Sequence, residues 1–155
     1  MSIAIRPLSS ADSDAIAQIF FDAVHLGTRQ LYDCGQRQAW AGDAPDPDGW
    51  RQKLKVLTGF VAEVDGMAAG FMTIDETGLI DFAFVAPFAA RKGVGRALYE
   101  AVEDKARSLD ATNLTTHASK AAKPFFMRHG WSVEKEQTVV RNGVKLTNFR
   151  MRKSL

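Results

Sequence analysis

One cysteine, Cys34, stands among 155 residues, so neither an internal disulfide framework nor a cysteine-rich zinc module is open to this chain. An excess of one charge is also missing: 20 Lys and Arg face 18 Asp and Glu, a formal net charge of +2. That balance argues against nucleic-acid binding, which usually brings a marked basic excess. No apolar run approaches the ~18 residues that a membrane span needs. Met1-Ser2-Ile3-Ala4-Ile5-Arg6-Pro7 meets polar residues too early for a secretory signal. No His, Asp and Glu group has metal-ligand spacing, so no metal is expected. There is no repeat, low-complexity tract or long linker. What is present, 46% hydrophobic and 25% charged residues, is ordinary globular composition. The expectation is one soluble, cytoplasmic domain over residues 1–155, with no membrane or nucleic-acid partner, as a monomer or homodimer.

Periodicity gives the order of elements. Ile3 to Leu8 reads as a short strand, and Ser9, Ser10 and Asp12 offer N-cap chemistry for a helix with Ile16, Ile19, Phe20 and Val24 on one face. Gly27 to Trp50 is irregular and carries Tyr32, Gln36, Gln38, Trp40 and Trp50, with a short helix expected through Leu54. Asp65-Gly66 and Asn142-Gly143 are strong hairpin signals, each between strand-like runs. Leu79 to Val85 reads as one strand, stopped by Pro87. Its alternation would put Ile80, Phe82 and Phe84 on one face and Asp81, Ala83 and Val85 on the other. Val94, Leu98, Ala101, Val102 and Leu109 mark a helix, Leu114 to His117 a strand, and Ala121 to Arg128 a helix closed by Gly130. Strands first in a meander and then alternating with helices predict an α/β fold with a mixed, mostly antiparallel central sheet.

The most informative stretch is Val85-Ala86-Pro87-Phe88-Ala89-Ala90-Arg91-Lys92-Gly93-Val94-Gly95-Arg96-Ala97. A strand ends and a helix starts on Gly-x-Gly, where backbone can approach a ligand closely and the first turn presents free N–H groups. Helix N-termini favour Asp or Glu, yet this one has Arg91, Lys92 and Arg96 and no carboxylate before Glu100. A bound anion would supply the missing negative charge. A plain tight turn with a basic surface is the competing reading. A Walker loop is excluded because Gly-x-x-x-x-Gly-Lys-Ser/Thr does not occur. A Rossmann fingerprint is excluded because Leu98 stands at the third glycine position.

This segment resembles the GNAT N-acetyltransferase superfamily, whose loop reads Gln/Arg-x-x-Gly-x-Gly/Ala; here it is Ala90-Arg91-Lys92-Gly93-Val94-Gly95, with Ala90 as the departure. Val85-Ala86-Pro87 and Ser119-x-x-Ala122…Gly130-Trp131 extend the likeness over most of the chain. Tyr32…Gln36…Ala39-Trp40 with Ala118-Ser119…Phe125-Phe126 looks like a bacterial subgroup of small acetyltransferases. The resemblance implies acetyl-coenzyme A as co-substrate. Its pyrophosphate would meet the N–H groups from Lys92 to Ala97, and its pantetheine arm would run beside Phe84, Val85 and Ala86 as an added strand.

An amine attacks only when neutral, yet aliphatic ammonium groups titrate near ~10, so a base is needed. Asp81 is a carboxylate in an otherwise apolar strand, costly there unless it reaches water or a partner. It also occupies the position of the general base in several members of the superfamily; a structural role is the alternative. A backbone N–H near Val85 would hold the developing oxyanion. Superfamily members commonly carry a general-acid tyrosine where this chain has Phe126, leaving Ser119, Tyr32, Tyr99 or water to protonate the thiolate. His117 is a second candidate base. Cys34 has no basic neighbour in sequence to lower its pKa, and Ser119 lacks a nucleophile elbow. Tyr32, Gln36 and Trp40 are candidates for the acceptor pocket, with helix packing as the alternative. The expected activity is transfer of an acetyl group to a primary amine of a small molecule or peptide. A non-catalytic acyl-coenzyme A sensor and an acyltransferase acting on a hydroxyl are the competing readings.

Overall fold

The computed structural model describes residues 1–155. Strand β1 (Ile3–Pro7) leads through a 3₁₀ turn (Ser10–Asp12) into helix α1 (Ser13–His25), whose Ile16, Ala17, Ile19 and Val24 are buried. Asp12, though nearly buried, is not isolated. Its carboxylate accepts from the Arg6 guanidinium at 2.7 and 3.0 Å and from Ser9 N–H at 2.9 Å.

The segment read as irregular holds two helices, α2 (Cys34–Ala41) and α3 (Pro47–Leu54). Asp33 caps α2 by accepting from Gln36 N–H, and Gln36 Oε1 accepts from Asp33 N–H, a closed capping box. Asp46 caps α3, with Pro47 at its start.

Strands β2 (Gly59–Val64) and β3 (Met67–Thr73) form the first hairpin. Asp65 and Gly66 both have positive φ, 50° and 84°, the geometry that matches the twist of flanking strands. Strands β7 (Ser132–Arg141) and β8 (Val144–Ser154) form the second hairpin, with Asn142 and Gly143 at 47° and 78°. Helix α4 (Val94–Ser108), strand β6 (Asn113–Ala118) and helix α5 (Lys123–Arg128) complete the chain.

The expected single strand from Leu79 to Val85 is corrected. It breaks at Asp81–Phe82 into β4 (Leu79–Ile80) and β5 (Ala83–Val85). The sheet divides with it into two four-stranded sheets, β1-β2-β3-β5 and β4-β6-β8-β7, antiparallel except for the β4–β6 pair. The two fragments answer to different neighbours. Ile80 C=O accepts from Thr116 Oγ1 at 2.7 Å, whereas Phe82 N–H donates to Thr73 Oγ1 at 3.0 Å and its carbonyl accepts from Thr73 N–H at 2.9 Å. The expected alternation fails at the break. Ile80 packs in the α4-side core that Ala83 and Val85 flank, and Phe82 and Phe84 flank the opposite core against α1 and α3. The mixed, mostly antiparallel α/β architecture is as expected, but the sheet is split.

Candidate functional site: a split sheet with two meeting cavities

Where the sheets part, one edge of β5 has no strand beside it. Ala86 N–H donates to Ala69 O at 2.7 Å and Thr73 N–H to Phe82 O at 2.9 Å, so the even-numbered residues turn their polar groups toward β3. By the alternation of an antiparallel ladder, Ala83 and Val85 direct their N–H and C=O groups to the free edge.

The chain then turns through a 3₁₀ segment (Pro87–Ala89) into α4. Arg91 and Gly93 sit in the left-handed region, φ 61° and 86°, and Gly93 is the N-cap with no side chain over the helix end. From Arg91 to Arg96, six successive N–H groups donate no well-formed bond to other backbone, and the first inside the helix is Ala97 N–H to Gly93 O at 3.1 Å. No acidic residue lies in that first turn. Arg96 pairs instead with Glu100 one turn on, at 3.0 Å. A Cβ added at Gly95 would lie 3.3 Å from Phe125 Cε2, so glycine keeps the turn clear of α5.

A cavity of about 980 Å³ runs from this loop along β5, lined among others by Ala83, Phe84, Val85, Arg91, Gly93, Val94, Gly95 and Arg96. Three residues expected with them fall outside it. Ala86 is 2% exposed, with its N–H spent on β3; Ala97 uses its N–H within α4; Lys92 is exposed and is not among the lining residues.

A second cavity of about 400 Å³ also adjoins β5 and is lined by Asp81, Phe82, His117, Tyr32, Lys53, Arg141 and Asn148 among others. Trp40, Ala83, Phe84, Ser119, Ala122 and Phe126 line both, so the two spaces meet there. Asp81 is exposed, pairs with no cation, and lines the smaller space only. His117, also exposed, accepts at Nδ1 from Gln137 Nε2 at 3.0 Å, which leaves the hydrogen on its Nε2. Ser119 Oγ accepts from Ala122 N–H at 3.1 Å, leaving its own hydrogen free to donate at the junction. Phe126 puts a ring, without a hydroxyl, at the same place.

The acceptor-side expectations fare unequally. Trp40 is half-buried at the junction, edge-on to Tyr32 and tilted against Phe84. Tyr32 lines the small cavity with its ring, while its hydroxyl donates to Thr147 O at 2.6 Å and accepts from Lys120 N–H at 2.9 Å; burial pushes its pKa up. Gln36 lines neither cavity. Its amide is used at both ends, by the capping box and by Lys145 O at 3.0 Å. Trp50 is core, packed on Phe71 and Phe82. Tyr99 hydroxyl accepts from Trp131 Nε1 at 3.1 Å and Lys153 Nζ at 3.3 Å, and burial raises its pKa strongly. Lys53, Arg141 and Asn148 were not foreseen; nothing in local sequence marks surface residues that only tertiary packing assembles.

The family model for the acetyltransferase (GNAT) domain matches residues 26–153. The chain belongs to the GNAT acetyltransferase family. It is 36% identical over 151 residues to an N-acetyltransferase of Escherichia coli strain K12, YafP, covering 97% of this chain and 95% of that one. It superposes on a GCN5-related N-acetyltransferase from Rhodopseudomonas palustris with a TM-score of 0.94 at 32% identity, over 100% and 97% of the two chains. A Salmonella typhimurium acetyltransferase, yncA, solved with its cofactor acetyl-CoA, shares the fold at a TM-score of 0.72 and 21% identity, over 99% and 94%. This GNAT chain is thus an N-acetyltransferase by family, and no helix in it is long and apolar enough to cross a membrane.

Proposed function

We propose that the protein acts as a single-domain enzyme that moves the acetyl group of acetyl-CoA to a primary amine of a small molecule, by direct attack with both substrates bound. The observation that carries this reading is the meeting of the two cavities at Ala83, Phe84 and Ser119.

On the donor side, the open N–H groups from Arg91 to Arg96 and the helix dipole behind them suit a pyrophosphate. The free edge of β5 offers Ala83 and Val85 polar groups to an amide-bearing arm. Acetyl-CoA supplies the thioester. On the acceptor side, Asp81 takes a proton from the ammonium, directly or through water, and the amine nitrogen bonds to the carbonyl carbon as the carbon–sulfur bond breaks. The N–H of Val85 faces the developing oxyanion. The second proton that the nitrogen sheds as the amide forms passes through Ser119 or water to the departing sulfur, and little help is needed because a thiol titrates near ~8.5. Ala86, Ala97 and Gln36 have no part in this scheme.

A thiol-release screen over amines, polyamines, amino acids, aminoglycosides and peptides tests the reading. Phe126 at the junction keeps one competitor in view, a binding module that takes acetyl-CoA without turnover. That module would show ligand-induced thermal stabilisation and no thiol with any acceptor.

A further inference from the structure

Acceptor chemistry is written in the charges of the smaller cavity. Lys53 and Arg141 bring two cations to its wall and Asp81 one carboxylate. None of the three belongs to an ion pair within the protein. Arg150, on neighbouring β8, shows the contrast, with Glu134 at 3.6 Å.

The Lys53 ammonium is held over two rings, and Arg141 lies beside an anchored turn. Lys53 Nζ stands 4.7 Å above the Trp50 ring and 6.0 Å from that of Phe82. Arg141 ends β7, and the turn after it is tied to α2 by Asn142 Nδ2 donating to Ala39 O at 2.8 Å. Lys53, Asp81 and Arg141 line the acceptor space and not the donor space. The rings of Phe20, Tyr32, Trp40, Phe82 and Phe84 line the same space.

Resting on the acetyl-transfer reading, we infer that the acceptor is a zwitterionic amine with an apolar or aromatic body, of the amino-acid class. Its ammonium answers Asp81, its carboxylate answers Arg141 and Lys53, and its body lies on the aromatic wall. Guanidinium–carboxylate pairing is directional and stronger than a neutral hydrogen bond. A polyamine or aminoglycoside meets two uncompensated cations and is repelled. About 400 Å³ lies at the small end of the ~300–1,000 Å³ range of small-molecule pockets.

The test compares acceptors that share a body and differ in charge. L-Phenylalanine is set against L-phenylalaninamide and 2-phenylethylamine, L-leucine against 3-methylbutylamine, and spermidine stands as the polycation. The expected result is a kcat/KM preference of at least ~10-fold for the acid in one matched set, which Arg141→Gln or Lys53→Gln reduces by about 10-fold, chiefly through KM. Uncharged members or spermidine turning over as well as the acids would overturn the inference and leave acetyl transfer standing. Silence of these probes while other amines release thiol also overturns the inference alone. Silence of every amine, with acetyl-CoA still bound, overturns acetyl transfer and the inference with it.

Discussion

Tyr32 donates its hydroxyl hydrogen to the carbonyl oxygen of Thr147 at 2.6 Å and so ties the loop before α2 to the last strand. The Tyr32 hydroxyl oxygen accepts in turn from Lys120 N–H, which fixes the turn after Ser119. Tyr32→Phe therefore removes partners from two backbone groups at once and should cost about 1–3 kcal/mol. The melting temperature should drop, while kcat at saturating substrates and its pH profile should hold. A loss of kcat with an unchanged melting temperature would make Tyr32 the proton donor instead.

Gly95→Glu would place a carboxylate among the free N–H groups at the start of α4 and press on Phe125. Gly95→Gln has the same bulk without the charge. Acetyl-CoA should cease to raise the melting temperature of the Glu variant, and should still stabilise the Gln variant in part. Equal ligand stabilisation of wild type and Glu variant would remove this loop as the phosphate site.

Asp81→Asn should leave folding and donor binding intact, because the side chain is exposed and unpaired. The rate at pH 7 should fall about 10²–10⁴-fold, the span usual for losing general-base help. The deficit should shrink as pH approaches the ~10 of an aliphatic ammonium, where neutral amine is already abundant. An Asn variant with full turnover at pH 7 would move the base to an ordered water, or to His117 once its ring lets go of Gln137.

Glu103 stands between Lys153 Nζ at 3.2 Å and the Arg107 guanidinium at 3.0 Å. Burial alone would raise its pKa, but hydrogen bonds from Tyr99, Arg107 and Lys153 bring it down to about 2. A carboxyl depressed by folding adds stability above the ~4.3 of an unfolded glutamate and loses it as pH falls through the folded value. Glu103→Gln should thus lower stability at pH 7 by about 1–2 kcal/mol after allowance for screening at the rim, and flatten the loss between pH ~4.5 and ~2. Melts recorded from pH 2.5 to 7 on both proteins check this; parallel acid limbs would refute it.

The sequence disclosed most where local chemistry decides the backbone. Asp65-Gly66 and Asn142-Gly143 turn as read because their positive φ is a local matter. Gly93-Val94-Gly95 opens α4 as read for the same reason. Helix α2 is missed by that reading, although Asp33 and Gln36 carry the capping-box spacing, because the surrounding glycines and prolines mask it. The break at Asp81–Phe82 was not legible. Alternation describes a strand with constant neighbours, whereas here Thr116 engages Ile80 and Thr73 engages Phe82. Gln36 was misplaced for a related reason, since the distant carbonyl of Lys145 takes its amide.

An unpaired strand edge on an outer surface is a template on which another copy of the chain can grow a sheet. In this protein the bare edge of β5 runs along a cavity that Trp40, Ser119, Ala122 and Phe126 also line. The parting of the sheets therefore sets the bare edge in a recess, where it meets what enters the cavity, rather than on an outer face.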